Sequence, residues 1–224
     1  MEARALLRLL HLASPALPVG AFSYSQGLES AVEAGIVTDA ATAERWITQV
    51  ARFAVARCEG PALHALLDAW RTQDAARIVR LNDAFLATRE TAELRAETIQ
   101  MGYSLARLLN DLDGTPAFQR ATLASMTDIA FPTAWAAAAS ELPPREALDT
   151  YLWAWAENQV MGAVKLVPLG QTDGQRILMR LIEALPAIAD EALSRGEDDW
   201  ENFTPHFAIL CSQHETQYTR LFRS

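Results

Sequence analysis

The sequence predicts an all-α fold, a single-domain bundle of about ten short-to-medium helices spanning residues 1–224. Three observations carry that expectation. Alanine is heavily used while Val, Ile and Tyr are modest, and Ala is the best helix former whereas β-branched side chains favour strands. Apolar residues recur at helical offsets along nearly the whole chain, and no stretch alternates apolar and polar as a half-buried strand does. No internal repeat or low-complexity segment interrupts the pattern.

Glu2 to Ala13 reads as a first helix, stopped at Ser14-Pro15 because the residue before a proline is pushed out of the helical region. A bent, aromatic stretch, SPALPVGAFSYSQGLES, follows from Ser14 to Ser30. Ser23 and Gln26 have capping-box spacing, which predicts a short second helix to about Ala34 with Gly35 as its left-handed cap. Thr38 or Asp39 caps a third helix, with Trp46, Ile47, Val50, Phe53 and Ala54 on one face. Gly60-Pro61 is expected to break it, with Pro61 opening a helix that carries Leu63, Leu66, Leu67 and Trp70.

Asp74 to Thr88 sets Ile78, Leu81, Phe85 and Leu86 on one face, and Thr91 to Leu112 is the longest clear helix. Helices at about Ala117 to Thr127 and Pro132 to Ser140 follow. The apolar run IAFPTAWAAAA is too short to span a bilayer and reads as buried core. From Pro144 to about Val164 the chain is apolar almost all round, the mark of a helix central to a core or an interface. Gln175 to Leu185 and Ala187 to Arg195 are expected as two further helices. An acidic linker, GEDDWEN, then leads into a C-terminal helix and tail, residues 203–224.

Charge and cysteine usage bound the function. Nineteen Lys and Arg stand against 28 Asp and Glu, a net charge of -9, with one lysine and no basic run. A phosphate backbone repels such a surface, so nucleic acid is excluded as a partner, and a basic protein partner suits it better. No segment predicts membrane insertion. Two cysteines far apart in sequence form no disulfide framework and favour a reducing, cytoplasmic location.

The patterns of catalysis fail one by one. The glycines of LPVGAFSYSQG and GQTDGQ lack the lysine and the preceding strand of a phosphate-binding loop. Ser23 does not stand in a G-x-S-x-G elbow and reads as a helix cap. Cys58 reads as a structural thiol. Glu90, Glu93 and Glu97, interleaved with Arg89 and Arg95, read as a solvated helix face. No tight metal-binding motif is present; His64 with Asp68, and His206 with His214, form the strongest loose group. They support an alternative reading, a metal-dependent hydrolase on an α-helical bundle. The tail QHETQYTRLFRS is rich in Tyr and Arg, the usual anchors of protein interfaces; fraying and packing on its own domain are both open to it.

Five segments, in order, carry a family resemblance: LASPALPVGAFSYSQGLESAVEAG, TRETAELRAETIQMGYSLARLL, FPTAWAAAA, AWAENQVMGAVKLVPLGQTDGQRIL and SQHETQYTRLFRS. Together they resemble the urease accessory protein F (UreF) family over nearly the whole chain. Thr219 and Lys165 stand where relatives carry Ser and often Arg. The resemblance implies a non-enzymatic, all-α nickel-insertion chaperone with no catalytic residue, cofactor or resident metal. It implies a homodimer that binds the accessory protein UreD/UreH, recruits the GTPase UreG, docks on urease apoprotein and modulates GTP-dependent nickel delivery. Carried onto this chain, the UreD/UreH interface falls on Gln213, His214, Glu215, Gln217, Tyr218, Arg220, Leu221, Phe222 and Arg223, ordered on binding. Gly20, Tyr24, Gln26 and Glu29 of the opening loop, with Lys165, fall on the dimer or UreG-facing surface.

Overall fold

A computed structural model describes residues 2–224. All regular structure among them is helical: α1 (Ala3–Ala13), α2 (Leu28–Glu33), α3 (Ala40–Val50), α4 (Gly60–Arg71), α5 (Ala75–Ala87), α6 (Ala92–Asp111), α7 (Ala117–Ala124), α8 (Phe131–Ala139), α9 (Pro144–Leu166), α10 (Gln171–Leu193) and α11 (Pro205–His214). A 3₁₀ turn, Ala21–Ser23, sits in the opening loop. Three starts follow side-chain caps: Asp39 accepts from Thr42 N–H in a reciprocal box, Asp74 from Arg77 N–H, and Thr91 from Leu94 N–H.

The main apolar cluster draws heavily on α4, α8 and α9, and a small second one joins Ala62, Phe85, Leu86 and Ala130. α4 and α8 bury nearly every residue, as the run FPTAWAAAA predicts. α9 packs against α1, α2, α3, α4 and α10, which is why it has no polar stripe. Its hairpin partner α10 approaches through Gly174, where a Cβ would lie 2.9 Å from Val164 Cγ2. Buried polar groups pin the layers. Asn82, fully buried, donates to the Asp128 carbonyl and accepts from Ala130 N–H, fixing the entry to α8. Trp70 Nε1–H donates to the Thr133 carbonyl at 3.1 Å.

Two expected breaks do not occur. Between α3 and α4 the chain stays helical through a π segment, Ala51–Glu59. Gly60 has ordinary helical angles and its N–H reaches Val55 O, five residues back. Pro61 does stand in the first turn of α4, but the rod runs on. The carbonyl left free four residues before Pro61 is that of Arg57, and it accepts from Glu201 N–H at 2.8 Å. Pro186 likewise lies inside α10, so the two helices expected at Gln175 to Leu185 and Ala187 to Arg195 are one. It sits on the exposed side, where the freed Ile182 carbonyl can bond to water.

The second helix begins later than predicted. Gln26 and Gly27 both have positive φ, so Ser23 cannot cap a helix running through Gln26; α2 starts at Leu28 behind a left-handed Gly27. Gly35 does cap its end, with φ +70.

α6 and α8 meet at Gly102, where an added Cβ would lie 2.8 Å from the Ala130 carbonyl carbon and closer still to the Ile129 oxygen. Alanine normally stabilises a helix interior relative to glycine by roughly 0.5–1 kcal/mol. Gly102→Ala is expected to do the opposite, losing about 2–3 kcal/mol by overpacking against rigid backbone, read as a lowered urea midpoint at constant slope.

Candidate functional site

The opening loop, α2, the start of α6 and the C-terminal tail converge on three carboxylates. Glu29 on α2 is buried and accepts the N–H groups of Leu221 and Phe222 at 2.6 and 2.9 Å. Its Oε2 also lies 3.1 Å from His214 Nε2. Glu93 on α6 faces the other ring nitrogen, Nδ1, at 2.6 Å, and its second oxygen accepts from Arg220 at 2.6 Å. His214 is wholly buried between them.

One turn along α6, Glu97 accepts from the Gln26 amide at 2.6 Å and lies 2.7 Å from the Ser224 hydroxyl. Burial pushes its carboxyl up to about 7, against the pull of the Ser224 and Gln26 hydrogen bonds. Gln26 in turn accepts from Trp155 Nε1–H at 2.7 Å, tying the loop to α9.

The tail therefore closes on the loop. Ser25 N–H and Oγ–H both donate to the Ser224 carbonyl, and Arg223 N–H donates to the Ser23 carbonyl. Phe222 is buried, 3.9 Å from where a Cβ on Gly162 would stand, with Lys165 Nζ 5.6 Å above its ring. Glu215 caps the N-terminus of α6 by accepting from Ala92 and Glu93 N–H.

Beneath the loop is a cavity of about 270 Å³ between α6, α8 and α9. Leu12, Val19, Met101, Phe131 and Trp135 line its apolar part, and Glu59, Glu97, Arg89 and Tyr151 its polar end. Tyr151 donates to Glu59, and burial with the neighbouring Glu59 charge holds its phenol well above the ordinary range. None of these groups is a poised nucleophile. The Cys58 and Cys211 thiols are both pushed up by burial, away from thiolate character.

Several expectations are settled by this geometry. The tail packs on its own chain instead of fraying. Of its named residues, His214 and Phe222 are buried and Gln217 is half-buried, accepting from Ser30 Oγ–H. Gln213, Glu215, Tyr218, Arg220, Leu221 and Arg223 are exposed, Tyr218 fully. In the loop, Gly20 takes a left-handed φ of +79, Tyr24 and Glu29 are buried, and Gln26 is half-buried. Glu93 and Glu97 are not a solvated face; only Glu90, which precedes α6, is exposed. Glu97 shares its helix stripe with Met101 and Leu105, four and eight residues on, and that placement on an apolar row was the available signal. Ser25, Trp155 and Ser224 carried no such signal. The loose metal group does not assemble: His64 lies on α4 beside Asp68, His206 is exposed on α11, and His214 is enclosed by carboxylates. Among the described residues no three His, Cys, Asp or Glu side chains form a metal-binding group.

Fold and site define an all-helical protein whose convergent charged groups hold segments of its own chain together. The UreF family model matches residues 37–182. The chain is 58% identical to the urease accessory protein UreF of Azoarcus sp. (strain BH72), over 98% of this chain and 95% of that protein. It is 53% identical to the UreF of Dechloromonas aromatica (strain RCB), over 98% and 97%, and 49% identical to that of Janthinobacterium sp. (strain Marseille), over the full length of both. The chain belongs to the UreF family of urease accessory proteins. Among the described residues no helix is long and apolar enough to cross a membrane.

Glu29→Ala removes the acceptor of two backbone N–H groups and one imidazole contact. A buried donor left unsatisfied costs roughly 1–3 kcal/mol, so a loss of about 3 kcal/mol is expected in urea unfolding, with Glu29→Gln losing less.

Proposed function

We propose that this chain is a non-catalytic chaperone of urease maturation in the cytoplasm. It acts as a homodimer that joins the accessory protein UreD/UreH and the GTPase UreG on urease apoprotein and modulates GTP-dependent nickel delivery. One observation carries the reading beyond family membership. The tail and the opening loop, the two segments that the family resemblance links to partners, form one composite surface. Backbone hydrogen bonds join Ser23 and Ser25 to Arg223 and Ser224, while Tyr218, Leu221 and Phe22 project outward.

Large apolar side chains left in water beside a rigid polar scaffold suit a contact surface. Leu221 and Phe22 are each 65% exposed on backbone that the buried carboxylates and Ser224 hold still. Such a surface is pre-organised, so binding does not have to order the tail from a coil. This replaces the folding-on-binding route implied by the resemblance with docking onto a tail already in place. Arg220 is drawn toward Glu93 and Phe222 is covered, so the outward contact falls mainly on Tyr218 and Leu221. The exposed Lys165 borders the same seat over the Phe222 ring.

Truncation after Ser212 is a poor test, because it would strip the partners from Glu29, Glu93 and Glu97 and unfold the seat itself. Tyr218→Ala and Leu221→Ala change exposed side chains and are expected to leave thermal stability within about 0.5 kcal/mol. The double variant is expected to retain UreD/UreH at least tenfold less well in co-purification and to support less urease activation at limiting nickel. Wild-type retention and activation by the double variant would overturn this placement of the interface. Wild-type activation in cells lacking the whole chain would overturn the chaperone reading.

A further inference from the structure

The tail is held by ionisable groups of other elements. His214 turns both ring nitrogens to carboxylate oxygens, Glu93 at 2.6 Å and Glu29 at 3.1 Å. A neutral imidazole has one N–H and one lone pair, so it can donate to only one of them. The Leu221 and Phe222 N–H groups already occupy Glu29, and Arg220 occupies the other oxygen of Glu93.

Glu97, one turn along α6 from Glu93, is the group that can take up a proton on closing. Its Oε2 meets the Ser224 hydroxyl, which can accept a hydrogen as readily as donate one. Around it stand Gln26 from the loop, Glu59 from the π segment and Arg89 from the turn before α6. Tyr24 from the loop, itself beside Arg223, Tyr151 from α9 and the buried Cys211 thiol from α11 also face it. Arg89 is already shared with Glu59 at 3.5 Å, so Glu97 has no cation of its own. Opening the tail removes Ser224 and lets water reach the carboxylate.

We propose that residues 215–224 form a proton-linked strap, closed with a proton bound at Glu97, where Ser224 and Gln26 meet the buried carboxyl, and loosened as pH rises. The direction follows from linkage. A carboxyl raised by burial in the closed state and near its ordinary value in the open state binds its proton on closing. That contribution is full below the ordinary carboxylate range near 4.5, and it is lost as pH climbs through about 7. Across the neutral range the strap is therefore tighter in mild acid, and opening it uncovers Phe222 and the Ser23–Ser25 edge of the loop. The strap's proton linkage is a property of this chain alone and does not depend on which partner the surface takes.

The test is hydrogen exchange on the full-length chain at pH 6 and pH 8, following the Leu221 and Phe222 amides. Rates are expressed as protection factors so that the intrinsic pH dependence of exchange drops out. Glu97 alone predicts about a tenfold fall in protection between the two pH values. Glu97→Gln keeps a hydrogen-bonding partner for Gln26 and for Ser224 but has no proton to lose, and it is expected to flatten most of that slope. Equal protection at both pH values in the unmodified chain would overturn the proposal, whether or not the variant folds. A folded Glu97→Gln chain with the unmodified slope would overturn it as well.

Discussion

A carboxylate taken out of water must be given hydrogen-bond donors or a proton, and this fold gathers three beside the tail, Glu29 and Glu97 buried and Glu93 half-buried. Glu29, Glu93 and Glu97 cannot be satisfied by the helices that carry them. Their partners come from the last eleven residues of the described chain and from the loop after α1. The position of the tail, the path of the loop and the start of α6 are consequences of that single demand. This explains why a segment with the composition of a frayed end is packed, and why the loop is strained at Gln26. The positive φ there swings the amide so that it bonds Glu97 on one side and Trp155 on the other.

Much of the architecture is legible in the sequence because local signals agree with tertiary packing. Asp39, Asp74 and Thr91 cap the helices that their side chains announce, and the all-round apolar α9 lies at the centre of the bundle. The misreadings at Pro61 and at Glu93 and Glu97 share one cause: a local rule is answered by a distant group that no window of sequence contains. A proline ends most helices, yet here the Arg57 carbonyl, four residues before Pro61, accepts from Glu201 N–H far along the chain. Glu93 and Glu97 alternate with arginines as surface charges do, yet Glu97 stands on the row of Met101 and Leu105, and long-range donors make its burial tolerable.

The candidate site divides the same way. The loop and tail are conspicuous as segments, since aromatic and arginine-rich stretches stand out from helical text. Which of their side chains face in or out is not conspicuous, because their order is set by three residues on other helices. Tyr218 and Phe222 are four apart in a similar composition, and one is fully exposed while the other is buried under Lys165. Catalytic machinery is recognised by convergence of reactive groups; here convergence produces satisfied pairs, and the thiols present are held protonated by burial.

The bond between Ser25 and Ser224 spans 199 positions. Its consequence is kinetic. Long-range closures of this kind raise contact order and slow folding, because most of the loop-closure entropy is lost before the contact forms. The bundle of α3 to α10 can assemble from nearer neighbours, whereas the seat of Glu29 and Glu97 stays open to water until the tail arrives. Closing the seat therefore costs more chain entropy than packing the bundle, and the tail latch is the contact that folding can least easily make early.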